Sequence, residues 1–117
     1  VPNLALLVDD VVSQLYPLTK SKFLIGRVTT CDIYIDDTSV SSCHAAILVV
    51  PNPLLDGYDD IVIEDLQSRN GTYVNEERIH RCILKPNDVI SIGWSKFKLL
   101  DDRSEGREST VLMMLDE

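Results

Sequence analysis

"IEDLQSRNGTYVN" occupies residues 63–75. It joins the end of one β-branched run (residues 61–63) to the start of another (residues 72–74). Between the runs lies Ser68-Arg69-Asn70-Gly71. Asn-Gly is the strongest short-range hairpin signal, because both residues tolerate positive φ. The stretch therefore reads as strand, turn, strand.

Working outward, the same rhythm recurs. Apolar residues fall in short runs at 4–8, 23–25, 33–35, 45–50, 61–63, 72–74, 89–92 and 97–100, with a looser run at 11–18 interrupted by polar residues and Pro17. Several runs are rich in Val and Ile, whose branched side chains pack well on a pleated surface. Turn residues separate them: Asp9-Asp10, Thr19-Lys20-Ser21, Pro51-Asn52-Pro53, Asp56-Gly57 and Pro86-Asn87-Asp88. Strands recurring every ~8–12 residues predict an all-β sandwich or barrel. No interior segment keeps a helical period. The apolar stretch at 111–115 reads equally as short helix, strand or partner-binding stub.

The whole chain supports one domain. At 117 residues it has no room for two ordinary ones, and 44% hydrophobic with 26% charged content is that of a soluble globular protein. No apolar run approaches the ~18 residues of a membrane span, and no signal-peptide pattern is visible. The net charge of −8 sets general nucleic-acid binding aside. Residues 101–117 hold six acids against Arg103 and Arg107, which marks them as an acidic C-terminal tail or linker beyond a domain at 1–100. Cys31, Cys43 and Cys82 are odd in number and form no CxxC, which points to a reducing, cytoplasmic setting and to small buried residues.

Four clusters carry possible chemistry: Gly26-Arg27; residues 39–44 (Ser39, Val40, Ser41, Ser42, Cys43, His44); residues 68–75; and Arg78 with His80 and Arg81. All fall at strand ends or in loops, where binding residues concentrate. Taken singly, Arg27 is a strand-end arginine, Ser41 and Ser42 are turn residues, His44 is a buried structural histidine and Asn70 is a turn residue. A nucleophile–base reading of Ser41, Ser42, Cys43 and His44 fails because strand neighbours face opposite sides, and no G-x-S-x-G elbow is present. A zinc site from the cysteines with His44 or His80 lacks paired ligand spacing. No enzyme activity, metal or cofactor is expected.

In combination, Gly26-Arg27 after a strand, Ser-x-x-His at 41–44 and Asn-Gly-Thr-x-x-Asn at 70–75 resemble the signature of the forkhead-associated (FHA) family. "CDIYIDD" (31–37), "HAAI" (44–47) and "PNDVISIG" (86–93) are similar to that family in order and spacing, so the resemblance spans roughly residues 4–100.

The resemblance implies a β-sandwich of about eleven strands whose loops at one end bind phosphothreonine peptides. It implies that Arg27 and Ser41 contact the phosphopeptide, that Ser42 stands where a longer donor is common, and that Asn70 bonds the peptide backbone. Arg69 would help read residues C-terminal to the phosphothreonine. Gly26, His44, Gly71, Thr72 and Asn75 would be architectural, with His44 bracing the Ser41 loop and Asn75 tying adjacent loops.

The implied partners are a phosphothreonine-containing protein and a Ser/Thr kinase or its substrate, with no nucleic acid and no membrane. A phosphate-independent scaffold or oligomerisation module of the same fold is the alternative. Thr110, in the acidic tail, is a candidate phosphorylation site through which the chain would block itself or self-associate.

Overall fold

The computed structural model describes residues 1–101. Thr110 and the expected tail therefore lie outside the described residues, apart from Asp101, which is buried. The alternation of apolar and polar residues resolves into eleven strands. In chain order they are β1 (Asn3–Val8), β2 (Val11–Pro17), β3 (Lys22–Gly26), β4 (Ile33–Tyr34), β5 (Ala45–Pro51), β6 (Asp59–Asp65), β7 (Thr72–Val74), β8 (Glu77–Ile79), β9 (Arg81–Ile83), β10 (Val89–Ile92) and β11 (Ser95–Leu100).

They form two sheets. One has the order β2-β1-β11-β10-β7-β8 and the other β4-β3-β5-β6-β9. Every pair is antiparallel except β3 with β4. Along β10 and β11, Ile90, Ile92, Phe97 and Leu99 are buried while Val89, Ser91 and Lys98 are only partly so, the period-two pattern of a sheet with one face inward. These side chains and Leu4 and Val74 of the first sheet share one core with Phe23, Ile25, Ile33, Ile47, Ile61 and Ile63 of the second. Full burial of each such side chain stabilises the fold by about 1.5–3 kcal/mol. The sandwich is thus rigid enough to hold the loops at its ends.

Three connections are two-residue hairpins. Asp9-Asp10 (φ 53° and 64°) joins β1 to β2, and Asn75-Glu76 (φ 51° and 71°) joins β7 to β8. Both have positive φ at both central positions, the mark of a type I′ turn. Gly93, with φ 59°, takes the first central position between β10 and β11.

Asn70-Gly71 is not a hairpin. It ends the loop that carries the chain from β6 in one sheet to β7 in the other. Only Gly71 of the pair has positive φ, at 89°. An added Cβ there would lie 2.7 Å from Nε of Arg78, so glycine is required on both counts.

Two further differences from the sequence pattern concern β8 and β9. Their sequences, Glu77-Arg78-Ile79 and Arg81-Cys82-Ile83, carry too little apolar character to stand out, and Arg78 and Arg81 sit within strands. Both lie at sheet edges, where half the backbone faces solvent and no apolar run is demanded.

Candidate functional site

The loops after β3, before β5 and after β6 meet at one end of the sandwich. Gly26 ends β3 and is buried; a Cβ there would lie 2.1 Å from the carbonyl oxygen of Ser42, so only glycine lets the two chain segments touch. The next amide, of Arg27, donates to the carbonyl of Ser41 at 3.1 Å. The backbone thus locks the Arg27 loop to the Ser41–Ser42 loop.

His44 holds that arrangement from below. It is fully buried. The Ser41 amide donates to its Nδ1 at 3.1 Å, and its Nε2 donates to the carbonyl of Gly71 at 2.8 Å. Since a carbonyl only accepts, these partners fix the tautomer with hydrogen on Nε2. One imidazole therefore spans the loops before β5 and before β7. The His44 amide also donates to Ile25, and the Leu66 amide donates to the carbonyl of His44.

Ser41 is bonded on the other side as well: the Arg69 amide donates to its Oγ at 3.0 Å. That contact uses an oxygen lone pair and leaves the hydroxyl hydrogen available to a ligand. Asn70 donates from Nδ2 to the carbonyl of Ser39 at 2.8 Å, a bond that does not use its side-chain oxygen. Arg27, Thr38, Ser39, Val40, Ser41, Ser42 and Arg69 surround a hollow of about 300 Å³. A second hollow of about 310 Å³, lined by Ser39, Asn70, Gly71, Tyr73, Gly93 and Trp94, shares Ser39 with the first. Trp94 is 91% exposed, so it supports no core and offers its ring to whatever enters.

Two carboxylates organise these loops and were not singled out from the sequence. Asp37 accepts from the amide and hydroxyl of Ser39, at 2.8 and 2.7 Å, and from the Trp94 amide at 3.0 Å. These bonds, that from Trp94 foremost, hold its carboxyl below its ordinary pKa. The Asp37-x-Ser39 spacing of an Asx-type turn was the available signal. Asp65 ends β6 and accepts from the Ser68 amide, the Ser68 hydroxyl and the Thr72 hydroxyl. Burial pushes its pKa up, but these three bonds outweigh burial and the carboxyl is held below its ordinary value.

Among the described residues the ion pairs are Lys20–Asp32 and Arg81–Glu64. The guanidinium groups of Arg27 and Arg69 have no carboxylate partner there. In a chain of net charge −8, two unneutralised cations and three serine hydroxyls around one hollow favour a small, doubly charged anion.

The structure brings Gly26, Arg27, Ser41, Ser42, His44, Arg69, Asn70, Gly71 and Thr72 together. It does not bring Asn75 to them: that side chain donates to Asp88 at 2.9 Å and accepts from the Val89 amide at 3.0 Å, joining a different pair of loops. Arg78 packs over Gly71, and the His80 carbonyl accepts from the Asp65 amide, so neither lines the first hollow. The cysteines are not the buried residues expected. Cys43 is exposed, and Cys31 and Cys82 are partly so.

The sequence model of the FHA domain matches residues 23–93. The chain belongs to the FHA family. FHA domains are phosphopeptide-binding interaction modules rather than enzymes. The glycogen accumulation regulator GarA of Mycobacterium tuberculosis is 34% identical to this FHA chain over 91 residues, 72% of this chain and 51% of GarA. The chain thus spans about half the length of that relative.

Among solved structures, one from a study of phosphothreonine-dependent FHA domain interactions has a TM-score of 0.70 and 31% identity, covering 86% of this chain and 95% of its own. The transcriptional regulator EmbR of Mycobacterium tuberculosis, solved with a low-affinity phosphopeptide, has a TM-score of 0.71 and 32% identity, covering 85% of this chain and 24% of its own. No helix among the described residues is long and apolar enough to cross a membrane.

Proposed function

We propose that this FHA domain binds a phosphothreonine-containing segment of a partner protein, without catalysis, in cytoplasmic signalling downstream of a Ser/Thr kinase. The observation that carries the reading is the hollow in which unneutralised Arg27 and Arg69 flank a Ser41 hydroxyl that is held by its oxygen and free to donate. A phosphate brings about −1.5 to −2 charges and three strong acceptor oxygens. Arg27 supplies charge to it and Ser41 a hydrogen bond, with Ser42 beside them as a short further donor. Asn70, tethered through Ser39, bonds the peptide backbone, and Arg69 faces residues C-terminal to the phosphothreonine.

Few charges suffice for such a site, so the acidic surface is compatible with it, although the overall field slows encounter with an anionic peptide. The similarity to the phosphopeptide-bound EmbR structure and to the phosphothreonine-dependent FHA structure supports the same reading.

The test is an oriented phosphothreonine peptide library screened against the purified domain, with matched phosphoserine and unphosphorylated libraries beside it. Selection from the phosphothreonine library alone is expected. Equal capture of unphosphorylated peptides would instead favour a phosphate-independent scaffold.

A further inference from the structure

Two of the three cysteines meet beside the hollow. Cys31 lies in the loop that follows Arg27, and its Sγ donates to the carbonyl of Ser42 at 3.5 Å, on the peptide unit that carries Cys43. Cys43 is close enough to add to the rise that burial imposes on the Cys31 thiol pKa. Gly26 makes the approach possible. A Cβ there would lie 3.1 Å from Cys31 Sγ as well as 2.1 Å from the Ser42 oxygen, so the missing side chain is the space in which sulfur and peptide meet. Cys43 is exposed, whereas Cys31 is partly covered. Cys82, on β9, pairs with Ile63 in the strand register and belongs to another part of the molecule.

We propose that Cys31 and Cys43 are a redox modification site, closing reversibly to a disulfide under a peroxide oxidant and thereby weakening ligand binding in the adjoining hollow. The exposed Cys43 sulfur attacks one peroxide oxygen. An S–O bond forms, the O–O bond breaks, and the first water leaves with the thiol proton. Cys31 sulfur then attacks the Cys43 sulfenic acid. An S–S bond forms, the S–O bond breaks, and the second water carries away the Cys31 proton. Two thiols and one peroxide thus give one disulfide and two waters. Reversible disulfides of this kind are the ones expected in a reducing compartment. Burial raises the pKa of Cys31, with Cys43 and Asp32 adding to the rise, so the exposed Cys43 rather than Cys31 is the sulfur that meets the peroxide first.

The direction of the effect follows from what each loop is tied to. The Cys31 loop is fixed: its own amide donates to Val28 at 3.0 Å, and the neighbouring Asp32 carboxylate accepts from the Leu24 amide at 2.8 Å and pairs with Lys20. Closing the bond therefore pulls the 41–43 segment against its own ties. It removes the Cys31–Ser42 contact and disturbs the Ser41 bonds to Arg27 and His44, which hold the donor in place.

The bond itself is independent of the proposed function; its effect on affinity rests on that reading. The experiment treats the purified, reduced domain with hydrogen peroxide. The expected product is lighter by two hydrogens, with Cys31 and Cys43 joined in the peptide map and Cys82 free, and dithiothreitol restores the starting mass. Phosphothreonine-peptide affinity falls several-fold on oxidation and returns on reduction, while Cys43→Ser keeps its own affinity through the treatment.

A product that stops at oxygen added to Cys43, or a bond to Cys82, overturns the site. Should the reduced domain bind no phosphothreonine peptide, the functional reading fails by itself. The mass map then still decides the bond, and amide NMR shifts of Arg27, Ser41 and Arg69 decide its reach. Shifts identical in the two redox states overturn the coupling, as does unchanged affinity with the bond in place.

Discussion

The amide of Ser41 donates to Nδ1 of His44 at 3.1 Å, so a phosphate-site candidate hangs from an imidazole that no solvent reaches. The other ring nitrogen reaches Gly71, which couples the Ser41 loop to the turn before β7. A ligand at Ser41 therefore meets a donor positioned by the core rather than by a mobile loop. Preorganisation of this kind lowers the ordering cost of binding.

His44→Ala removes both bonds and leaves the Ser41 amide and Gly71 carbonyl without the partner they had. Each buried unsatisfied group costs about 1–3 kcal/mol. The variant is expected to lose roughly 2–4 kcal/mol of unfolding free energy in urea titrations. It is also expected to bind phosphopeptide more weakly through a loosened loop. Wild-type stability with abolished binding would make His44 a direct ligand contact instead.

Two glycines separate steric from conformational demand. Gly26→Ala has no positive φ to contend with but drives a methyl to 2.1 Å from the Ser42 oxygen. It is expected to cost at least about 1–3 kcal/mol, as overpacking does, and to lower ligand affinity with it. Gly57, at φ 77°, has nothing within 4 Å of the added atom. Gly57→Ala is expected to cost only about 1 kcal/mol from backbone strain and to leave binding alone. Thermal melts and titrations of the two variants side by side check the contrast.

Asp65 sets an acid limit on the same loop. Its folded pKa lies below that of the unfolded chain, so it contributes fully above the unfolded value of about 4 and loses that contribution as pH falls through the folded value. Asp65→Asn is expected to be less stable than wild type by about 1–2 kcal/mol at neutral pH. The gap is expected to narrow as pH falls below about 4. Unfolding curves across that range are the measurement, and a gap that widens toward acid would contradict the assignment.

Much of this fold was legible because β-branched residues alternate so regularly. The nine runs read from the sequence correspond to strands, and β10 and β11 show their inward faces directly. What the pattern missed has physical causes. β8 and β9 are three-residue edge strands that need no apolar run. Asn70-Gly71 carries the local chemistry of a hairpin yet crosses between sheets, while the tight type I′ turns use Asp9-Asp10 and Asn75-Glu76. Turn propensity reports which backbone angles a residue accepts, not which strands it joins.

At the site, Arg27, Ser41, Arg69 and Asn70 were visible as motif residues. Asp37 and Asp65 were not, because their role is to accept hydrogen bonds from loop groups that only the folded chain brings near. Cys31 and Cys43 are twelve residues apart in sequence, and only the Gly26 gap shows that the Cys31 sulfur reaches the peptide unit that leads into Cys43.

A calorimetric titration of a phosphothreonine peptide into the wild-type domain and into Arg27→Ala measures what the guanidinium contributes to phosphate binding. The guanidinium supports no ion pair among the described residues, so its removal is expected to leave the melting temperature nearly unchanged. A charge-assisted bond to phosphate contributes about 1.5–3 kcal/mol, so affinity is expected to fall at least about tenfold. Equal affinity of the two proteins for the phosphopeptide would contradict the account.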